Sequence, residues 1–147
     1  MGKVETGKGV IDILSRALEV EYKTIVHYPR IAKMMPDEQS ASSVELLGED
    51  SIKHADKVAA AISGLGGIPP FPRFEVLPDN PDMVDFFEKQ LELEYLALDL
   101  HTKAAESIGE RFAPSLRELA EQEKLHIKVV NEILAKLRAG GNRDVAS

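Results

Sequence analysis

Carboxylates and imidazoles recur at fixed intervals along this chain. Glu123 and His126 stand three residues apart, which places them one turn apart on the same side of a helix. His54 lies 72 residues before His126, and the lone acids Glu21 and Glu94 lie 73 residues apart. Iron, manganese and zinc accept imidazole nitrogen together with carboxylate oxygen. The repeat therefore predicts a site for two metal ions, with these five residues as ligands.

A polar ring follows each lone acid by seven residues, or about two helical turns. Tyr28 follows Glu21, and His101 follows Glu94. At two turns, each ring is too far from its acid to share an ion with it comfortably. We expect each ring instead to orient the lone carboxylate of the opposite half of the chain, without binding metal itself.

One member of the repeat is missing. Ser51 stands three residues before His54, at the place that Glu123 holds before His126. Three carboxylates leave one positive charge of two divalent ions uncompensated, and one bridge between the ions is lost. Asp50 is one candidate to replace that bridge, and a water molecule held by the Ser51 hydroxyl is another. We therefore expect one tight metal position and one weak position, the weak one at His54.

Composition excludes several classes of function. With 25 acidic and 18 basic residues the net charge is −7, which disfavours binding to nucleic acid. The chain has no cysteine, so it has neither disulfides nor thiolate metal ligands. Residues 1–8 lack the apolar core of a signal peptide, and no apolar run reaches the length of a membrane span. We expect a cytoplasmic protein that does not bind membranes.

Apolar residues at helical spacing predict four helices and no strand. The helices are expected at about residues 9–35, 42–63, 81–108 and 114–138. Ser42 and Glu45 have capping-box spacing at the start of the second helix, and Asn80 is expected to cap the third. Gly140 and Gly141 are expected to stop the fourth.

The links between the helices predict the topology. The first and third links are short, so each predicts an antiparallel hairpin, whereas residues 64–80 carry four of the eight prolines and are long enough to cross a bundle. Two hairpins joined by one long crossover predict an all-α, ferritin-like four-helix bundle. We expect one domain over residues 1–139 and a disordered tail over residues 140–147.

The chain resembles the ferritin-like diiron family, and within it the bacterioferritins and related small ferritins. The most specific segments are Lys53-His54-Ala55-Asp56-Lys57 and Gly64-Leu65-Gly66-Gly67-Ile68-Pro69. The resemblance implies a role as ferroxidase ligands for five residues, Glu21, His54, Glu94, Glu123 and His126. It also implies that Tyr28 is the tyrosine beside the ligands, with His101 in the corresponding place of the other hairpin.

The chain also departs from that family. Ser51 stands where the family has a bridging glutamate, and Ile52 stands where bacterioferritins carry a methionine that ligates haem, so haem is not expected. The segment after Ala139 is too short and glycine-rich for the fifth helix of large ferritin shells. Without cysteine, an attached rubredoxin-like iron centre is also ruled out.

These patterns favour an iron-binding protein that oxidises Fe(II) with O₂ or peroxide at a dimetal site and sequesters the iron. The cofactor would be two iron ions at unequal positions, with manganese or zinc as alternatives. The partners would be metal ions and further copies of the chain, in a dimer or a small shell. Two other functions stay open: a diiron or dimanganese oxidase of a small organic substrate, and a degenerate, non-catalytic assembly subunit.

Overall fold

Four α-helices make up the protein. The computed structural model describes residues 7–73 and 75–146, and no strand occurs among them. The helices are α1, Gly7–Lys33; α2, Glu38–Gly64; α3, Met83–Ser107; and α4, Ala113–Ala146. The prediction of an all-α fold with four long helices is confirmed. No helix in these described ranges is long and apolar enough to cross a membrane.

Two helices begin at other caps than the sequence predicted. Asp37 caps α2 and Asp82 caps α3, and each carboxylate accepts a hydrogen bond from the backbone N–H three residues later, at 2.8 and 3.0 Å. The predictions of Ser42 and Asn80 as the capping residues were wrong. Several residues near each start can cap a helix. At α2 the cap is Asp37, which precedes Ser42, so the helix gains another turn of backbone hydrogen bonds. At α3 the cap is Asp82, which follows Asn80.

The helices pack as two hairpins side by side. α1 packs against α2 and α3, and α4 packs against the other sides of α2 and α3. The segment of residues 65–82 joins α2 to α3, as the predicted crossover requires. Gly66, the second residue of this segment, has a φ of +84°, a conformation that glycine adopts without steric cost. The ferritin-like bundle topology is confirmed.

α4 extends beyond the end that the sequence indicated. It runs to Ala146 and passes through Gly140 and Gly141, where the glycines were expected to stop it. Glycine in a helix costs about 1 kcal/mol relative to alanine, which weakens a helix without forbidding it. The division into a domain of residues 1–139 and a tail of residues 140–147 stays a prediction. Residues 1–6 and Ser147 lie outside the described part.

A buried polar layer separates two apolar clusters in the bundle. One cluster includes Leu14 and Leu119, and the other includes Ile31, Phe87 and Val130. Eight buried polar residues lie between the clusters along the helices, and His101 joins them from the part of α3 that carries the first cluster; the nine are Glu21, Thr24, Ser51, His54, Gln90, Glu94, His101, Glu123 and His126. We call this set the polar layer. Because apolar packing on both sides holds the four helices in place, the polar layer is fixed within the bundle.

Candidate metal centre

All four helices contribute acids or imidazoles to the polar layer. α1 provides Glu21, α2 provides His54, α3 provides Glu94, and α4 provides Glu123 and His126. All are at most 3% exposed. A buried carboxylate without a compensating partner costs several kcal/mol, so this concentration of ionisable groups needs protons, ions or both to neutralise it.

The first group of donor atoms surrounds Oε1 of Glu123. Nδ1 of His54 lies 2.9 Å from this oxygen and 3.4 Å from Oε1 of Glu21. Nε2 of His101 lies 3.2 Å from the same Glu21 oxygen and 3.7 Å from Oε1 of Glu123. One ligand atom from each of these four residues lies within 4.8 Å of the others. They are close enough to bind one ion together.

The second group uses the other oxygen of the same glutamate. Nδ1 of His126 lies 3.6 Å from Oε2 of Glu123 and 3.6 Å from Oε2 of Glu94. One donor atom from each of these three residues also lies within 4.8 Å of the others. Glu123 thus contributes one oxygen to each group, which is the placement of a carboxylate that bridges two ions.

Residues on the neighbouring helix hold the outer nitrogens of two histidines. Nε2 of His54 lies 2.7 Å from Oε1 of Gln122, whose amide nitrogen donates to Glu118. Nε2 of His126 lies 3.1 Å from Oδ2 of Asp50. Because amide and carboxylate oxygens only accept, both Nε2 atoms carry the proton. In the neutral rings, the lone pair is therefore on Nδ1, which faces the two groups.

Several buried atoms in the polar layer have no hydrogen-bond partner within the described ranges. Among them are Oε2 of Glu123 and Nδ1 of His126, two of the three donor atoms in the second group. Buried polar groups in proteins are nearly always paired. These two neighbouring atoms are both potential metal ligands without a hydrogen-bond partner. A cation between them would satisfy both at once. The residues present therefore fit a bound metal ion.

The acids change the proton affinity of the imidazoles. Burial lowers the pKa of His54, but hydrogen bonds with Glu123 and Glu21 outweigh it and raise the pKa to about 10. Burial acts in the same direction on His126, and Glu123 and Glu94 raise its pKa to about 11. The pKa of His101 is also raised, by Glu123 and Glu21 against burial. Without metal, protons on these rings balance the buried acids.

The pKa values of Glu94 and Glu123 shift in opposite directions. Burial and the nearby carboxylate of Glu123 raise the pKa of Glu94 to about 8, despite the opposing effect of His126. Burial would raise the pKa of Glu123 too, but its polar neighbours, Glu94 and three imidazoles, hold it well below its usual range. Without metal, negative charge in the layer is therefore more stable on Glu123 than on Glu94.

The sequence-predicted ligands Glu21, His54, Glu94, Glu123 and His126 come together in these two groups. Asp50 lies at the outer nitrogen of His126 and belongs to neither group. Ser51 is buried in the same layer and is 1% exposed. The structure thus brings the five predicted ligands together, and it places Asp50 at the outer nitrogen of one of them rather than between the two groups.

The two polar rings differ in their contacts. His101 reaches Glu21, the lone acid of the opposite hairpin, and joins the first group. The hydroxyl of Tyr28 is fully buried and has no hydrogen-bond partner among the described residues. Burial, followed by the charges of Glu94 and Glu123, raises the pKa of Tyr28. The phenol is therefore neutral at physiological pH.

Sequence reasoning missed three polar residues around the site. Gln90 donates from Nε2 to Thr24 at 2.7 Å and to Oε1 of Glu94 at 3.2 Å. Gln122 contacts Nε2 of His54 through its amide oxygen. Gln90 precedes Glu94 by four residues on one helix face, so helical spacing could have indicated that contact. The other contacts cross between helices and depend on packing.

Comparison with known proteins agrees with this fold. Residues 11–140 match the family model described as a ferritin-like domain. The chain belongs to the ferritin-like family. No curated protein is matched by sequence.

Solved structures of ferritin-like proteins share the bundle. A ferritin-like, diiron-carboxylate protein from Bacillus anthracis str. Ames is 21% identical, with 87% of this chain and 96% of that chain covered and a TM-score of 0.75. A dodecameric thioferritin from Bacteroides fragilis, described as bacterioferritin-related, is 18% identical, with coverage of 94% and 91% and a TM-score of 0.77. Desulfovibrio desulfuricans bacterioferritin is 20% identical, with coverage of 95% and 86% and a TM-score of 0.76. At these identities the likeness shows the fold alone.

Proposed function

We propose that this ferritin-like protein binds two Fe(II) ions within one bundle, oxidises them with O₂ or peroxide and sequesters the iron. Glu123 carries the proposal, because its two oxygens belong to two different groups of potential ligands. A single buried carboxylate shared in this way suits a pair of ions better than one ion. Diiron and bacterioferritin neighbours with the same fold support the choice of iron.

Each residue would have a defined part in binding. Glu21 and Glu94 would each bind one ion, Glu123 would bridge the two, and His54 and His126 would each supply Nδ1. Gln122 and Asp50 would keep those rings in the tautomer that leaves Nδ1 free. The apolar clusters on both sides would limit access of water to the site.

Iron is the substrate of this reaction, and the electrons balance simply. Two Fe(II) ions become two Fe(III) ions and release two electrons. One O₂ takes these electrons with two protons to give H₂O₂, or one H₂O₂ takes them with two protons to give two waters. The protein contributes placement and charge, and the redox chemistry belongs to the metal and the oxidant.

A cavity of about 280 Å³ reaches Gln90, the residue that donates to Glu94. Charged side chains such as Lys23 and Glu75 share its walls with apolar ones such as Leu77, Phe86 and Leu93. Binding sites for organic substrates are usually mostly apolar with a few polar groups. The test of the proposed function therefore measures O₂ consumption with no organic substrate present.

The test is an Fe(II) titration without oxygen, followed by addition of O₂ with no other substrate present. We expect two ions per chain and O₂ consumption proportional to the iron. Glu123→Gln should lose both positions, because it removes the shared charge. Glu121→Gln is the matched control, since Glu121 is exposed on the same helix and pairs with Lys124 at the surface. Unchanged iron binding by Glu123→Gln would overturn the proposal.

We also propose that the chain assembles with copies of itself, in a dimer or a small shell. Three large apolar side chains on the helices are more than half exposed, Leu46, Tyr95 and Leu125. One structural neighbour is a dodecamer. Such side chains are often covered when subunits pair through helix faces. Sedimentation of the full chain tests this directly, and a monomer at all concentrations would contradict it.

A further inference from the structure

His101 is the one imidazole in the polar layer whose place the family resemblance does not explain. It is fully buried, and its Nε2 faces two carboxylates at once, Glu21 at 3.2 Å and Glu123 at 3.7 Å. Its ring stands nearly perpendicular to that of His54, with centroids 6.2 Å apart. A histidine that only orients one carboxylate needs one close oxygen, whereas His101 lies against the same two oxygens as His54.

The spacing of these atoms matches a coordination shell. The four imidazole–carboxylate distances in the first group range from 2.9 to 3.7 Å. Four ligands bound to zinc at about 2.0–2.2 Å stand about 3.4 Å from one another in a tetrahedron. The observed distances lie on both sides of that value. Small side-chain movements would therefore complete the shell.

The first hairpin lacks one acid that such a site would otherwise use. Ser51 is buried in the polar layer at the place that corresponds to Glu123, and Asp50 is turned to the outer nitrogen of His126. We propose that Nε2 of His101 is the fourth ligand of the ion held by Glu21, His54 and Glu123, and that it takes the coordination place left by Ser51. This inference rests on the proposed dimetal site.

The hydrogen bonding of the ring is compatible with this role. Gln122 and Asp50 hold the outer nitrogens of His54 and His126, but Nδ1 of His101 has no hydrogen-bond partner in the described part of the chain. No neighbour therefore fixes the tautomer of His101. A neutral ring that keeps its single proton on Nδ1 leaves the Nε2 lone pair free for an ion.

The two metal positions then differ in the number and type of their ligands. The first has two imidazoles and two carboxylates, a set of four ligands that suits zinc. The second, Glu94, Glu123 and His126, has three protein ligands and keeps room for others. The loss of an acid at Ser51 alone predicts a weak position at His54. With His101 as a ligand, however, we expect this first position to hold Zn²⁺ more tightly than the second, and the second to exchange its ion more readily.

The direct test is a crystal of the full chain grown with Zn²⁺, with anomalous scattering measured at the zinc edge. The expected peak lies about 2.0–2.1 Å from Nε2 of His101, the ordinary zinc–nitrogen distance. A peak bound by Glu21, His54 and Glu123 but beyond bonding distance of His101 would overturn the inference and leave the dimetal proposal standing. Absence of zinc from both groups, together with no iron binding in solution, would overturn both.

A solution measurement uses Co²⁺, whose visible absorption reports the number and type of its ligands. His101→Gln should change the spectrum of the first bound equivalent. The matched control is His27→Gln, because His27 lies outside both groups, against Phe86. Affinity alone does not decide, since loss of a residue that merely orients a ligand also weakens binding by about 10–100-fold. A weakened but spectrally unchanged Co²⁺ complex would show that His101 only positions Glu21.

Discussion

His54 and His126 stack face to face, with ring centroids 5.1 Å apart and planes 10° apart. They come from α2 and α4 and are 72 residues apart in the sequence. Each ring forms a hydrogen bond with a residue on the other ring's helix, Gln122 for His54 and Asp50 for His126. The pair lies at the centre of an internal pseudosymmetry of the site, which corresponds to the repeat in the sequence. The symmetry is broken where the outer partners differ, since Gln122 is neutral and Asp50 is charged.

That difference predicts a selective effect of Asp50. Asp50→Ala removes the carboxylate that accepts from His126 and leaves the first group untouched. We expect the position formed by Glu94, Glu123 and His126 to lose about 10–100-fold in metal affinity, with little change at the other. Calorimetric titration resolves the two steps. Glu49→Gln, an exposed neighbouring acid, is the control, and equal losses at both positions would contradict the assignment.

The buried imidazoles predict an unusual pH dependence for the metal-free protein. His54 and His126 have folded pKa values of about 10 and 11, above the ordinary 6.5, and Glu94 has about 8, above 4.5. The folded state therefore binds more protons than the unfolded state, so the free energy of unfolding should fall as pH rises. The part of the free energy of unfolding that comes from the imidazoles should begin to decrease above about pH 6.5 and be lost near pH 10–11.

Denaturant unfolding in the presence of a chelator, at pH 6 and at pH 9, measures this decline. Metal binding should show the opposite trend, because the ions must displace protons from the same rings, so affinity should increase with pH. A metal-free protein that is more stable at pH 9 than at pH 6 would show that the imidazoles are not held protonated by Glu21 and Glu123.

Much of the architecture could be predicted from the sequence, because helical periodicity and link length determine it. The crossover and the two hairpins follow from where proline and glycine interrupt the apolar pattern. The helix ends were harder, because Asp37 and Ser42 both suit a cap, and the choice depends on where the chain turns. Gly140 also failed as a stop signal, since a helix tolerates glycine at a modest cost.

At the site too, sequence spacing predicts which residues come together, whereas the individual contacts depend on helix packing. The repeat interval identified Glu21, Glu94 and the other acids and imidazoles that the structure brings together, although their metal binding stays a prediction. The repeat gave Tyr28 and His101 equivalent places, yet only His101 enters a group of potential ligands. Rotation of a helix by a few degrees decides such contacts, and sequence spacing does not resolve it.

Tyr28 provides a test of stability. Its hydroxyl is buried without a hydrogen-bond partner in the described part, which costs about 1–3 kcal/mol. Tyr28→Phe removes the hydroxyl and keeps the ring packed near Phe87, so the metal-free protein should become more stable by about 1 kcal/mol. Thermal unfolding measures the change. Tyr95→Phe, at an exposed tyrosine, should have no effect; a destabilised Tyr28→Phe would mean that the hydroxyl has a partner such as bound water.

If His101 takes the coordination place that Ser51 leaves open, substitutions of the two residues should have coupled effects on metal affinity. Ser51→Glu places a carboxylate three residues before His54, as Glu123 stands before His126. In the metal-free protein, another buried acid should destabilise the fold by repulsion. With metal, the added charge should raise Fe(II) affinity at the position that includes His54 by about tenfold or more, equivalent to about 1.4 kcal/mol, and speed Fe(II) oxidation.

The decisive measurement is a double-mutant cycle on metal affinity, with Ser51→Gln as the uncharged control. In the parent, His101→Gln should weaken the first position strongly. In the Ser51→Glu background the same change should cost much less, because the new carboxylate fills the coordination place. Additive effects would show that Ser51 and His101 act independently. Two equally tight positions for Fe(II) in the parent would show that the serine leaves no deficit.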